Sequence, residues 1–154
     1  MLQKIIQTNN NKAAAVLRIV LGLVLFPHGA QKLLGWFGGF GFSGTMNYFT
    51  GTVHLPWIIA LLVILIEFIG SLMLIIGMAT RVAALLIIIN FIGVILTAHL
   101  ANGFFINWLG NQKGEGYEYH LLIIGMAASL LISGAGAFSV DRVMSKEKLS
   151  MPLR

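Results

Sequence analysis

Residues able to do chemistry are few, and nearly all interrupt apolar sequence. Glu67 is the sole charged residue between Pro56 and Gly77. At 1.5 Å per residue it lies about 16 Å from the start of that segment. A carboxyl at that depth is costly, which makes it a functional candidate by default. Gly70 and Ser71 follow at three and four residues and share its face, where a neighbouring helix can approach closely. Two roles fit Glu67: a protonated or paired group that locks helices, or a proton-active or ligand-binding carboxyl.

A second group is His28-Gly29-Ala30-Gln31-Lys32. His28, Gln31 and Lys32 are spaced i, i+3, i+4 and form one polar helix face. It serves either as an interfacial cap with Lys32 snorkelling to headgroups, or as a site for an anionic or quinone-like headgroup. Gly22, Leu25, Gly29 and Lys32 line a similar stripe, so close helix packing is expected there. His99 falls near the outer end of its own segment, at the level of His28. Two histidines could ligate haem, but neither lies in a further haem signature, so haem and metal are not expected. Asn90, Gly93 and Thr97 form a polar stripe below His99, read as interhelical hydrogen bonding.

Glu115, Tyr117, Glu118, Tyr119 and His120 cluster where another apolar segment begins. Glu118 suits a helix N-terminus, and the cluster could also face His28 and Lys32, with Lys32–Glu118 as an ion pair. Arg18, Arg81 and Asp141 are expected at one depth, as an arginine–aspartate pair anchoring helix ends. Gly125, Ser129, Ser133 and Ala137 repeat every four residues and are read as a packing face.

The elements that must position these residues follow from composition. The 154-residue chain is 58% hydrophobic and 10% charged, with a mean hydropathy of +0.90. Soluble domains carry about 25% charged residues, so soluble enzymes, nucleic-acid binders and disordered chains are excluded. The net charge of +5 reports membrane orientation rather than nucleic acid. Cysteine is absent, which removes thiol chemistry, disulfides and cysteine-ligated clusters. No phosphate loop, nucleophile elbow or dinucleotide fingerprint is present.

Four apolar segments read as spans: residues 13–34, 56–77, 81–101 and 119–138. The first is too long for a signal peptide and no cleavage site follows it, so it is read as retained. Residues 35–56 and 102–118 are Gly- and aromatic-rich loops suited to the interface. Residues 1–12 form a polar tail, 13–141 the membrane domain, and 142–154 a basic, poorly ordered tail. Lys4, Lys12, Arg18, Arg81, Arg142, Lys146, Lys148 and Arg154 fall on one side, against Lys32 and Lys113 on the other. This places both termini in the cytoplasm and both aromatic loops outside. The two halves resemble each other faintly, each a helix with a histidine near its outer end, a Gly/aromatic loop and a second helix.

Together His28-Gly29-x-Gln31-Lys32, Gly35-Trp36-Phe37-Gly38-Gly39, Glu67-x-x-Gly70, Gly77-x-x-Thr80-Arg81, His99, Gly103-Phe104-Phe105, Gly116-Tyr117-Glu118-Tyr119 and Gly134-x-Gly136-x-x-Ser139-x-Asp141 resemble the DoxX family of small bacterial membrane proteins. The resemblance covers residues 13–142. It implies a four-span bundle in the inner membrane and a loose link to quinone or thiol redox complexes; other relatives act as membrane chaperones. Without cysteine, only a quinone- or partner-dependent redox role survives in this chain.

The expectation is an all-α, four-transmembrane-helix bundle in the inner membrane, in contact with lipid. Its leading function is an accessory subunit of a quinone-linked redox complex with a partner protein; a non-enzymatic assembly or chaperone subunit is the alternative. Glu67, His28 and His99 are the catalytic candidates. Gln31, Lys32, Trp36, Glu118 and Tyr119 are the ligand-binding ones.

Overall fold

The computed structural model describes residues 5–150, with side chains as far as Ser145. Lys4 and Arg154, counted above for orientation, lie outside the described residues, as do the side chains of Lys146 and Lys148. The described residues form helices joined by turns and irregular loops, and no strand is present among them.

Helix α1 (Lys12–Leu34) starts where the Asn11 side chain accepts the Ala14 N–H and ends where Gly35 turns left-handed. A short helix α2 (Gly41–Asn47) and a π-helical turn (Tyr48–Thr52) then fold the first aromatic loop. Helix α3 (Trp57–Ile76) follows Pro56 and stops at left-handed Gly77. Helix α4 (Thr80–Val94) runs on through a π turn (Ile95–His99) and a 3₁₀ turn (Leu100–Asn102). Helix α5 (Glu118–Ser133) and helix α6 (Val140–Ser150) complete the chain. Three helical stretches, Lys12–Leu34, Trp57–Ile76 and Thr80–Asn102, are long and apolar enough to cross a membrane. The 16 residues of α5 are apolar but shorter.

Two sequence expectations change here. The fourth segment was expected to be helical to Phe138, but it breaks at Ser133 because Gly134, Gly136 and Phe138 all adopt positive φ. Residues 134–137 fold back into the protein: Gly136 N–H donates to Thr8 Oγ1 and Ala137 N–H to the Asn11 carbonyl. Irregular backbone at membrane depth is tolerated only where protein buries it. The first part of the basic tail, expected to be poorly ordered, is helical as α6 through Ser150, and residues 151–154 lie outside the described residues.

The core joins Leu21 and Leu25 of α1, Leu74 of α3, Ala83, Ala84, Ile87 and Phe91 of α4, and Ile123, Ala127 and Leu130 of α5. The packing face of α5 is therefore not the expected small-residue stripe. Gly125 has open space where a Cβ would stand, and Ser129 is exposed. Residues two positions from the buried Ile123 and Ala127 necessarily point away from them.

Glycines set the approach of α1 to α3. A Cβ on Gly29 would stand 2.6 Å from the Phe68 Cα and N and 2.7 Å from the Glu67 carbonyl carbon. Backbone cannot yield as a side-chain tip can. Gly29→Ala is expected to force the helices apart at a cost of about 1–3 kcal/mol. Thermal unfolding in detergent checks this; a melting temperature equal to wild type would contradict the close approach.

Arg18 and Asp141 do not form the expected ion pair, and each binds backbone instead. Arg18 donates to five carbonyls at the ends of α3 and in the 135–138 segment. Asp141 accepts the N–H groups of Ala79 and Thr80 at 2.7 and 2.9 Å. It thereby caps the start of α4, where Ala79 sits at φ +47. Arg81 likewise reaches the carbonyls of Leu131, Ile132 and Gln7. Helix ends and irregular backbone present more unpaired carbonyls than there are carboxylates at this level.

Candidate functional site

A cavity of about 750 Å³ lies among α1, α3, α4 and α5 under the two aromatic loops. Its walls are mostly aliphatic, and its polar groups gather around Glu67. The Glu67 carboxyl is 5% exposed and pairs with Lys32, Nζ to Oε2 at 2.6 Å. Asn90 donates to Glu67 Oε1 at 3.4 Å, so both carboxyl oxygens have partners. This is the single salt bridge among the described residues. Burial of an ion pair inside a bundle is rare enough to mark a site.

The same cavity is lined by His28, one turn before Lys32 on α1, and by His99, Tyr119 and His120. The π turn at 95–99 carries His99 inward, a local insertion common at functional positions. The His99 ring lies on that of His120, with centroids 4.2 Å apart. His99 Nδ1 meets the Glu115 carbonyl at 2.8 Å. A carbonyl only accepts, so Nδ1 carries a proton and donates in this contact. Tyr119 Oη and His120 Nδ1 are buried with no hydrogen-bond partner. An orphaned polar atom inside a protein costs about 1–3 kcal/mol, and both of these belong to residues that line the cavity.

The structure thus brings together His28, Lys32, Glu67, His99 and Tyr119 of the sequence candidates. Gln31, Trp36 and Glu118 are outside the cavity lining. Gln31 donates to the Phe37 carbonyl, Trp36 packs edge-on to Phe26, and Glu118 accepts the Ile106 N–H at 3.0 Å. The expected Lys32–Glu118 pair is accordingly replaced by Lys32–Glu67, because α1 packs along α3 and Glu118 is taken by the 103–118 loop. Asn90, read from sequence as an interhelical hydrogen bonder, and His120, read as one of the cluster facing His28 and Lys32, are also cavity groups, though neither was among the candidate site residues. The signal for His120 was available: Ile123, Ala127 and Leu130 follow at helical spacing on the same buried face.

The fold and cavity define a polytopic helical membrane protein with a charged pair buried beside an internal chamber. The DoxX family model matches residues 13–100, and the chain belongs to that family. It is 30% identical over 133 residues to "Putative oxidoreductase CatD" of Bacillus subtilis (strain 168), covering 86% of this chain and 87% of that protein. It is 34% identical over 132 residues to "Inner membrane protein YqjF" of Escherichia coli (strain K12), covering 86% and 92%. No solved structure matches.

Proposed function

We propose that this protein is a four-span inner-membrane subunit, with both termini in the cytoplasm, that binds a quinone-like headgroup as an accessory component of a membrane redox complex. The observation that carries the reading is the pair of orphaned atoms, Tyr119 Oη and His120 Nδ1, beside the Lys32–Glu67 pair. An apolar chamber with a few convergent polar groups is the usual form of a small-ligand site. The donors fit a quinone: a phenol hydroxyl, an imidazole and an ammonium suit carbonyl oxygens that accept hydrogen bonds. The names of the two relatives agree with a redox role and an inner-membrane location. A quinone held there would supply electron and proton uptake. Lys32 and Tyr119 then orient its oxygens, Glu67 and His99 hold or pass protons, and the aliphatic walls exclude water.

Tyr119→Phe tests the site. Loss of an unpartnered buried hydroxyl should leave the melting temperature unchanged or slightly higher. If the hydroxyl binds ligand, quinone retained through purification, read by mass spectrometry of extracts, should fall about tenfold, the worth of one good hydrogen bond. Wild-type protein that neither retains nor binds quinone, yet purifies with a stoichiometric partner, would favour the assembly role instead.

The four-span reading rests on α5, which is apolar and packs into the same core as the three longer helical stretches. Orientation rests on the lysine and arginine bias. The chain has no cysteine, so single cysteines can be labelled without background. Lys113→Cys should react with an impermeant maleimide on intact spheroplasts, and Ser145→Cys only after lysis. The reverse pattern would invert the topology.

A further inference from the structure

Helices α3 and α4 touch at the bottom of the cavity and part above it. A Cβ on Gly70 would lie 3.7 Å from Ile87 Cδ1, and one turn up Asn90 reaches Glu67. From that level outward α3 lines the cavity with Ile66, Leu62 and Ile59, and α4 with Ile89 beside Asn90 and then Gly93 and Val94. Leu62 is 43% and Ile89 58% exposed although both line the chamber. Nothing stands within 4 Å of a Cβ built on Gly93. A side chain that lines a cavity and also meets the surroundings sits at an opening. Both helices belong to stretches long and apolar enough to cross a membrane, so this opening faces hydrocarbon.

Its walls are one aliphatic row from each helix. Its inner end is the Lys32–Glu67 pair and the unpartnered Nδ1 of His120, a residue 8% exposed. A polar floor reached through a mainly aliphatic slot, whose Thr97 hydroxyl is already spent on the Gly93 carbonyl, suits a molecule with a polar head and one hydrocarbon chain. We propose that the slot between α3 and α4 holds the single alkyl or isoprenoid chain of a ligand drawn sideways from the bilayer, its head resting on Glu67, Lys32 and His120. This rests on the ligand-binding reading above and adds the class of ligand and its route. A chain that moves from lipid to an aliphatic slot exchanges one apolar medium for another and gains little free energy. The slot therefore sets route and orientation, and the test must read position.

The probe is a benzoquinone bearing a decyl chain that ends in a diazirine, added to the full chain in nanodiscs and photolysed. The same ring without its chain serves as a binding control. Labelling is expected within residues 59–66 and 89–94, competed by unlabelled decyl-benzoquinone. Gly93→Phe fills open space and should keep the fold, yet lower that labelling about tenfold, as a blocked route would. Ile89→Trp, at an exposed position, is a second plug should the first misfold. Labelling concentrated in residues 48–55 or 106–116 would overturn the slot, since the chain would then leave through the outer loops. So would undiminished labelling in folded plugged variants. Binding of the chainless ring without competable labelling sinks the slot alone; failure of both molecules to bind sinks the ligand-binding reading with it.

Discussion

Arg18→Ala should be among the most damaging single substitutions in the chain, with a loss on the order of 3–5 kcal/mol, the range for stripping a buried charge network of one member. Arg18 is fully buried. Its Nε donates to the Ala135 carbonyl at 3.0 Å and its Nη2 to that of Phe138 at 3.0 Å. Its Nη1 serves Leu74 and Ile75 in the last turn of α3, where carbonyls lack helical partners and the helix dipole favours a cation. Alanine leaves these acceptors without donors and opens a cavity besides. Arg18→Lys keeps the charge but offers three donors on one atom, so it should fall between alanine and wild type. Thermal unfolding in detergent reads the loss. Limited proteolysis should show first cleavage within residues 134–139, the segment Arg18 holds. A variant that melts within a few degrees of wild type and resists cleavage there would refute this role.

That clamp shows where sequence reasoning reaches and where it stops. Arg18 is visible as a costly charge in an apolar helix, and Asp141 as an acid at matching depth, so pairing them was reasonable. The backbone acceptors are not visible, because a carbonyl is present at every residue and only folding decides which remain unpaired. The same limit hid the end of α5. Gly134-Ala135-Gly136 suggests a helix exit, but nothing local says that it turns inward rather than onward. Glu67 was legible because intramembrane charge is rare, and Gly70 and Ser71 gave its face. Its partner was not: Lys32 could reach either Glu67 or Glu118 until the close contact of Gly29 with Phe68 fixed how α1 lies along α3. The inward turn of His99 depends on a π-helical insertion, which composition does not encode. The stripe from Gly125 to Ser133 misled because small residues at four-residue spacing permit close packing without requiring it.

The Lys32–Glu67 pair yields the second large prediction, and a cycle of variants separates its two roles. Glu67→Gln leaves a lysine that is 26% exposed beside a cavity without its counter-ion. Partial access to polar surroundings lessens the damage, so the expected loss of stability is about 1–3 kcal/mol rather than the full value for a sealed pair. Lys32→Met has the harsher result, because the carboxyl it abandons is 5% exposed. Replacing both, Lys32→Met with Glu67→Leu, removes the two charges at nearly constant volume and should return the melting temperature to wild type or above it. Ligand binding should not return with it. If the pair only locked α1 to α3, the stable double variant would retain quinone like the wild type, since an apolar contact replaces the lock. If the pair is the polar floor of the site, all three variants lose retained ligand by about tenfold or more, whatever their stability. A double variant that is folded, stable and empty assigns the charges to ligand binding; one that is folded, stable and loaded assigns them to helix docking.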